Sequence, residues 1–210
     1  AGLMCALKQM DARIEFVGIG GPKMEAAGCE VIEHTVGRAV MTYNAIAHVG
    51  HFYRLVQRIK QYLREHPVDL MIVCDSPSFN FHVAKAAKAA GVKTLFYVAP
   101  QLWAWGGWRI RKLRRFCDKL CCILPFEEPW FKSRGVDTTF VGNPLLDKLP
   151  TDLMGFRKHY VGFDPRHASI ALMPGSRLAE IHSLWVPMQE IAVRLKRKYS
   201  EASFTTVAVN

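Results

Sequence analysis

Hydrophobic positions along the chain alternate between short continuous runs and longer stretches with a helical period. The run 68–74 is almost continuously apolar, which is typical of a parallel strand buried on both faces. Just before it, apolar residues between His51 and Glu65 recur at helical spacing, with the basic residues largely outside the apolar stripe. This alternation predicts an α/β fold built around a parallel sheet.

The same alternation extends through most of the sequence. Strands are predicted to begin near Ile14, Val68, Lys93, Leu120, Thr138 and Ser169, with helices between them. A more polar stretch after the fifth of these strands predicts a division of the chain. We place an N-terminal domain at 1–147, a connection at 148–168 and the start of a second domain at 169–210.

The sequence has the pattern of a piece of a longer protein. Residues 1–10 match the back half of a helix without an N-cap, and the β-rich run 203–209 has nothing after it to cover it. We therefore expect the first strand of the N-terminal domain to precede Ala1 and the second domain to continue beyond Asn210.

The charge of the chain points to anionic partners. A formal net charge of +10 over 210 residues fits nucleic acid, an acidic lipid surface or a phosphorylated substrate. The sequence has no apolar run of roughly 18 residues, which argues against a membrane span, and its opening residues do not match a signal peptide. The six cysteines form no CxxC pair, so we expect buried, reduced thiols in a cytosolic protein.

One turn suggests an anion site. The apolar segment 170–173 predicts a short strand, which a Pro-Gly turn joins to a long helix. Ser176 stands at the expected N-cap, where free backbone N–H groups and the helix dipole attract anions. Arg177 adds a planar guanidinium that suits phosphate oxygens. The alternative is an ordinary strand–helix turn with a surface arginine.

Polar side chains also follow other predicted strands, where ligands bind in open parallel sheets. Asp75, Gln101 and Asn143 occupy such positions. Partial desolvation beside the apolar run before Asp75 would raise the basicity of its carboxylate and suit a general base. The alternative for Asp75 is an Asx-turn or helix-cap role, since Ser76 and Pro77 follow it.

Three tryptophans precede a basic helix. Trp103, Trp105 and Trp108 offer flat apolar surfaces for a sugar or an acyl chain, although core packing is the commoner fate of such residues. The helix predicted at 109–119 would face lipid headgroups, phosphates or simply water.

The sequence predicts no metal and no other cofactor. His48 and His51 have no companion cluster of ligands, and no Asp-x-Asp pair, Walker loop or Gly-x-Ser-x-Gly turn occurs. A bound diphosphate would then have to be neutralised by Arg177 and helix dipoles.

Several short blocks follow one another in a specific order. They are Phe16-Val-Gly-Ile-Gly-Gly-Pro-Lys-Met24 with Ala27-Gly-Cys-Glu30, Asp75-Ser-Pro-Ser-Phe-Asn80, Tyr97-Val-Ala-Pro-Gln-Leu-Trp-Ala-Trp105, Leu124-Pro-Phe-Glu127, Phe140-Val-Gly142, and Leu172-Met-Pro-Gly-Ser-Arg177 with Glu180. Each block is weak alone, but the ordered set spans nearly the whole chain. Together they resemble the lipid-A-disaccharide synthases, which are glycosyltransferases of GT-B architecture.

The resemblance implies a Rossmann-like parallel-sheet domain followed by the first β-α-β unit of a second Rossmann-like domain. It also implies a hexosyltransferase that joins UDP-2,3-diacylglucosamine to 2,3-diacylglucosamine 1-phosphate with inversion and releases UDP. These two substrates and the anionic inner-membrane surface are the implied partners. The implied location is peripheral, on the cytoplasmic face of that membrane, which suits the positive charge.

The resemblance also assigns roles to residues. Asp75 and Arg177 match residues important for activity, with general base as one role for Asp75 and diphosphate stabilisation for Arg177. Gly175, Ser176 and Glu180 belong to the same motif and are assigned to substrate binding. The other expected substrate contacts are Asn80, Trp103, Trp105 and Asn143.

The sequence departs from the family pattern in three places. The Gly-Glu-Thr-Ser-Gly-Asp loop expected just before Ala1 is absent, residues 39–45 replace a Met-Gly-x-x-Glu pattern, and Asn143 stands where the family has histidine. Because most of the nucleotide-binding domain is expected beyond Asn210, we expect this piece alone to be inactive.

Two other functions fit parts of the sequence. One is a different GT-B-like enzyme, such as a UDP-sugar epimerase with a soluble substrate, although the tryptophans and the basic helix favour a lipid. The other is a nucleic-acid-binding module. No nucleic-acid motif is present and the basic residues are spread over several helices, so we expect no nucleic-acid partner.

Overall fold

The computed structural model describes residues 1–35, 45–149, 167–176 and 178–206. It divides into two compact units, Ala1–Leu146 and Asp147–Asn210. The boundary between them falls near the start of the connection predicted at 148–168, most of which lies outside the described residues. Its role as a connection therefore stays a prediction.

The first unit begins with a small parallel sheet of two strands. Its elements are α1 (Gly2–Met10), β1 (Phe16–Gly20), α2 (Pro22–Glu25), β2 (Cys29–His34) and α3 (Ala45–Glu65). Phe16 lies opposite Cys29 in the register of β1 and β2. Pro22 takes the first position of α2, where its missing N–H is not needed.

A second parallel sheet forms the main body of this unit. Its elements are β3 (Leu70–Cys74), α4 (Pro77–Ala89), β4 (Lys93–Tyr97), a 3-10 turn (Gly107–Arg109), α5 (Ile110–Phe116), β5 (Lys119–Cys122), α6 (Glu127–Lys132) and β6 (Thr138–Phe140). The strand order is β3-β4-β5-β6, and every pair is parallel. Each strand follows its neighbour through a helix, and the α/β prediction is confirmed.

The core of the sheet depends on small residues in α4. Ala84 and Ala87 are fully buried, so the helix backbone packs closely over the strands. Phe81 of α4 meets Phe96 of β4 with ring centroids 5.6 Å apart, and Phe96 is fully buried. This packing fixes α4, and with it the turn that joins β3 to α4.

The second unit is a single strand–helix–strand motif in its described part. It contains β7 (Ser169–Leu172), α7 (Leu178–Lys198) and β8 (Ser203–Thr206), and its two strands pair in parallel. The strand predicted from the β-rich run that begins at Ser203 is therefore confirmed over Ser203–Thr206.

Two boundaries differ from the sequence-based prediction. The helix predicted at 109–119 is shorter, because α5 ends at Phe116 and Lys119 already begins β5. The alanine-rich pattern predicts a helix at 81–90, but α4 already begins at Pro77, where proline suits the first turn. No helix in the described part of the chain is long and apolar enough to cross a membrane.

The cysteines differ in exposure. Cys29 and Cys122 are buried, whereas Cys5 and Cys74 are exposed, so the expectation of buried thiols is wrong for the last two. Burial raises the pKa of Cys117 from its ordinary 9.0 to about 11. Burial, and next the negative charge of Glu127, likewise raise the pKa of Cys122 to about 11.

We predict that Cys117 and Cys122 resist alkylation by iodoacetamide at neutral pH, because only the thiolate is a good nucleophile. Cys5 should react much faster and serves as an internal control. Mass spectrometry of timed digests measures the rates. Because the folded thiols stay protonated, their contribution to stability is present below pH 9.0 and is lost as the pH rises toward about 11. Equal labelling of all the thiols in the folded chain would contradict this assignment.

Candidate active site

Three non-glycine residues with left-handed backbone lie at the carboxyl ends of β3 and β4. They are Asp75 (φ 50°), Ser76 (φ 39°) and Val98 (φ 70°). A β-branched residue such as valine is a genuine outlier in this region, and such conformations cost about 1–3 kcal/mol each. The three are close, because the Asp75 N–H donates to the Tyr97 carbonyl at 3.3 Å. Clustered strain of this kind is typical of functional sites.

The Asp75–Ser76 turn is held by Asn80 from the first turn of α4. The buried Asn80 amide donates from Nδ2 to the Cys74 carbonyl at 2.9 Å and also to the Asp75 carbonyl. Both amide hydrogens are therefore used inside the turn. The structure gives Asn80 a positioning role, and its contact with substrate stays a prediction.

The turn leaves the Asp75 side chain exposed. The desolvation that we expected for this carboxylate is therefore absent in the described structure. The cap alternative is not supported either, since Ser76 is the N-cap residue of α4 and has no side-chain cap hydrogen bond. Among the described residues the Asp75 carboxylate has no hydrogen-bond partner, so it is available to a ligand.

The segment after Val98 brings Trp103 to the same sheet edge. Ala99 and Leu102 are buried and anchor this segment. The Trp103 indole is partly exposed, and its Nε1–H donates to Oε1 of Glu127 at 2.9 Å. Trp105 is more exposed, with its ring 5.2 Å from the Arg109 guanidinium carbon. Trp103 is thus held by the first residue of α6, whereas Trp105 lies exposed on the surface.

Glu127 is the residue that sequence analysis missed. It is only 1% exposed, and its second oxygen accepts the Leu124 N–H at 3.1 Å. A carboxylate is almost never fully buried without partners, and here two neutral N–H donors hold it. A signal is present in the sequence, since Glu127 ends one of the blocks that carry the family resemblance, but nothing in the pattern identifies Trp103 as its partner.

Asn143 lies at the other side of this sheet. It follows β6, three strand spacings from β3, which is about 14 Å. Its Oδ1 accepts the Leu145 N–H at 3.0 Å and forms a local turn. The structure therefore brings Asp75 and Asn80 together and pairs Trp103 with Glu127, whereas Asn143 lies on the other side of the sheet from Asp75. No group of His, Cys, Asp and Glu within the described ranges could hold a metal ion.

The turn between β7 and α7 already contains a carboxylate. We expected free backbone N–H groups at this turn. The Ser176 N–H instead donates to Oε2 of Glu180 at 3.1 Å. Gly175 has φ 117°, and a Cβ there would lie 2.5 Å from Oε2 of Glu180, so only glycine fits. A phosphate that bound this N–H would have to replace the Glu180 contact. Arg177 and residues 39–44 lie outside the described residues.

Solved structures that are similar to this chain show its fold class. The chain is similar to a Listeria monocytogenes protein assigned as a UDP-N-acetylglucosamine 2-epimerase, with a TM-score of 0.60, 13% identity and coverage of 99% of this chain and 58% of that one. It is also similar to Staphylococcus aureus MnaA in complex with UDP, with a TM-score of 0.54, 12% identity and coverage of 92% and 61%. The fold is therefore Rossmann-like α/β of the GT-B type.

The sequence comparison is more specific. The family model for lipid-A-disaccharide synthetase matches residues 1–210, and the chain belongs to this family. It is 38% identical to the lipid-A-disaccharide synthase of Geobacter metallireducens over 198 residues, covering 93% of this chain and 52% of that protein. For the Geobacter sulfurreducens enzyme the identity is 36% over 206 residues, with coverage of 97% and 54%. The chain thus spans about half the length of these relatives.

We predict that Asn80→Ala lowers the free energy of unfolding by about 1–3 kcal/mol, because two buried carbonyls lose their donor and two strained residues lose their support. Urea denaturation measures the change. Ser78→Ala, an exposed position in the same helical turn, is the control and should change stability by less than about 0.5 kcal/mol. Equal effects of the two substitutions would show that Asn80 does not hold the turn.

We predict energetic coupling between Trp103 and Glu127 in a double-mutant cycle. Glu127→Leu leaves the indole N–H of Trp103 without its acceptor, whereas Trp103→Phe removes that N–H. The double variant should therefore be more stable, by about 1–2 kcal/mol, than the sum of the two single effects predicts. The control cycle combines Trp108→Phe with Glu127→Leu. Because Trp108 is exposed, the effects of these two substitutions on the free energy of unfolding should be additive within about 0.5 kcal/mol. Additivity in both cycles would contradict the structural role of this hydrogen bond.

Proposed function

We propose that the whole protein to which this chain corresponds is an inverting glycosyltransferase of lipid A biosynthesis. It joins UDP-2,3-diacylglucosamine to 2,3-diacylglucosamine 1-phosphate and releases UDP. The observation that carries this proposal is the family match over residues 1–210, which includes every block of the candidate site. Synthases from two Geobacter species, at 36–38% identity, support the same reaction.

In this proposal Asp75 is the general base. Its carboxylate is exposed on a turn that Asn80 fixes, so it can accept the proton of the acceptor hydroxyl. The hydroxyl oxygen forms the new bond at the anomeric carbon while the bond to the UDP oxygen breaks on the opposite face. A single displacement of this kind inverts the anomeric centre.

The leaving diphosphate needs positive charge in this proposal. Arg177 and the N–H groups at the start of α7 would supply it, with the Ser176 N–H exchanging the Glu180 carboxylate for a phosphate oxygen. Gly175 keeps the turn open enough for that exchange. Trp103, Trp105 and Asn143 are proposed contacts for the sugar or the acyl chains.

The substrates also suggest a location. Both carry acyl chains and phosphate, so we propose that the protein acts as a peripheral protein on the anionic cytoplasmic face of the inner membrane. The net charge of +10 supports this location. A UDP-sugar epimerase is the second candidate, and similarity to such enzymes in fold is its only support.

The test is a chimera in which residues 1–210 replace the matching segment of the Geobacter metallireducens relative. We predict that it forms the lipid disaccharide and UDP, and that Asp75→Asn lowers kcat by about 100-fold or more. The control is Asp69→Asn, which makes the same substitution at the opposite end of the same strand. Asp69 directly precedes β3, whereas Asp75 directly follows it. Radiolabelled acceptor and thin-layer chromatography measure the product.

Each part of the proposal can fail separately. Undiminished turnover of the Asp75→Asn chimera would exclude Asp75 as the base. An epimerised UDP-sugar without disaccharide would favour the second candidate. Arg177→Ala should weaken inhibition by UDP as well as turnover, and unchanged inhibition would exclude a diphosphate contact.

A further inference from the structure

One surface of the first unit carries positive charge without compensation. No acidic residue occurs in the sequence between Asp75 and Asp118, whereas five of the seven residues from Arg109 to Arg115 are basic. Elsewhere in this unit, three lysines have carboxylate partners at 2.7 Å: Lys88 with Asp118, Lys119 with Asp137, and Lys132 with Glu128. The arginines of α5 have no ion pair with any described residue.

The geometry of α5 collects these charges on one face. Leu113 is fully buried and fixes the inner side of the helix. Arg111, Arg114 and Arg115 are exposed, and together they line one shallow concavity. Three guanidinium groups around one depression suit several phosphate oxygens at once.

Exposed tryptophans adjoin the arginines. Trp105 and Trp108 are 63% and 65% exposed. The guanidinium carbon of Arg109 lies 5.2 Å from the Trp105 ring and 5.3 Å from the Trp108 ring, and Lys112 Nζ lies 5.5 Å from the Trp108 ring. Indole rings packed against cations match the headgroup level of a bilayer, where apolar and charged groups meet.

We propose that this tryptophan–arginine face, residues 105–115, docks on a bilayer that contains anionic phospholipids. The inference rests on the proposed function in one respect, since lipid substrates require access to a membrane. Charge complementarity selects the occupant: the arginines bind headgroup phosphates and the indoles enter the interface. The face differs from the site around Asp75, which lies at the carboxyl ends of β3 and β4, because the arginines belong to α5, which leads to the start of β5.

The test is sedimentation of the 210-residue chain with vesicles of phosphatidylcholine, with or without phosphatidylglycerol. We expect binding only to the anionic vesicles. Replacing Arg111, Arg114 and Arg115 by glutamine should weaken it by about tenfold or more. The matched control replaces Arg194, Arg197 and Lys198 of α7 by glutamine, which removes the same charge and should change binding by less than about twofold.

A second measurement checks the tryptophans. Brominated lipids should quench the fluorescence of the bound chain, and Trp108→Phe should reduce this quenching. Circular dichroism confirms that the variants are folded, which we expect because the replaced side chains are exposed.

Three results would overturn the proposal. Equal loss of binding in both triple variants would show that net charge alone acts. Tighter binding to RNA than to anionic vesicles, lost only in the α5 variant, would assign the face to nucleic acid. Absence of vesicle binding by the unmodified chain would exclude membrane docking, while disaccharide formation by the chimera in detergent would leave the proposed reaction standing.

Discussion

The hydrogen bonds from the Asn80 amide to the turn after β3 are the constraint on which the candidate site depends. Asp75 and Ser76 both adopt left-handed backbone, which neither residue prefers. The turn persists because Asn80 is buried and because α4 is packed on the sheet through Ala84 and Ala87. The position of the Asp75 carboxylate is therefore set by the hydrophobic core, although the carboxylate itself is in water.

A second buried polar group acts in the same way on the next segment. Glu127 begins α6, yet it binds the indole of Trp103, which belongs to the segment after β4. Burial of a carboxylate costs free energy unless its oxygens accept hydrogen bonds inside the protein. The N–H groups of Trp103 and Leu124 donate these hydrogen bonds to Glu127. In both cases a side chain from a following helix fixes the segment at a strand end. Preorganisation of this kind suits a site in which a base and a substrate must meet in one geometry.

The sequence predicted the elements better than the contacts. Continuous apolar runs predict parallel strands because both faces of such strands are buried, and β3 follows this rule. The same pattern does not indicate which side chain forms the hydrogen bonds of a given buried polar group. The family resemblance assigns Asn80 to substrate binding, but in the structure its amide hydrogen-bonds within the turn, and nothing in the sequence indicates the role of Glu127. The strand ends at Cys74 as predicted, but the turn that follows leaves the Asp75 side chain exposed, so the desolvation expected for it does not occur in the described structure.

The segment between β4 and β5 connects the candidate site with the proposed membrane face. It starts at the strained Val98, passes the anchored Trp103, and reaches the exposed Trp108 and the arginines of α5 without an acidic residue. Acidic residues anywhere along it would repel both the headgroups and the phosphate of the proposed acceptor. One charge pattern therefore serves two proposed purposes, holding the protein at the bilayer and drawing anionic lipid toward Asp75. The proposed link accounts for the arginines of α5 that have no ion pair, whereas Lys119 of β5 and Lys132 of α6 have carboxylate partners.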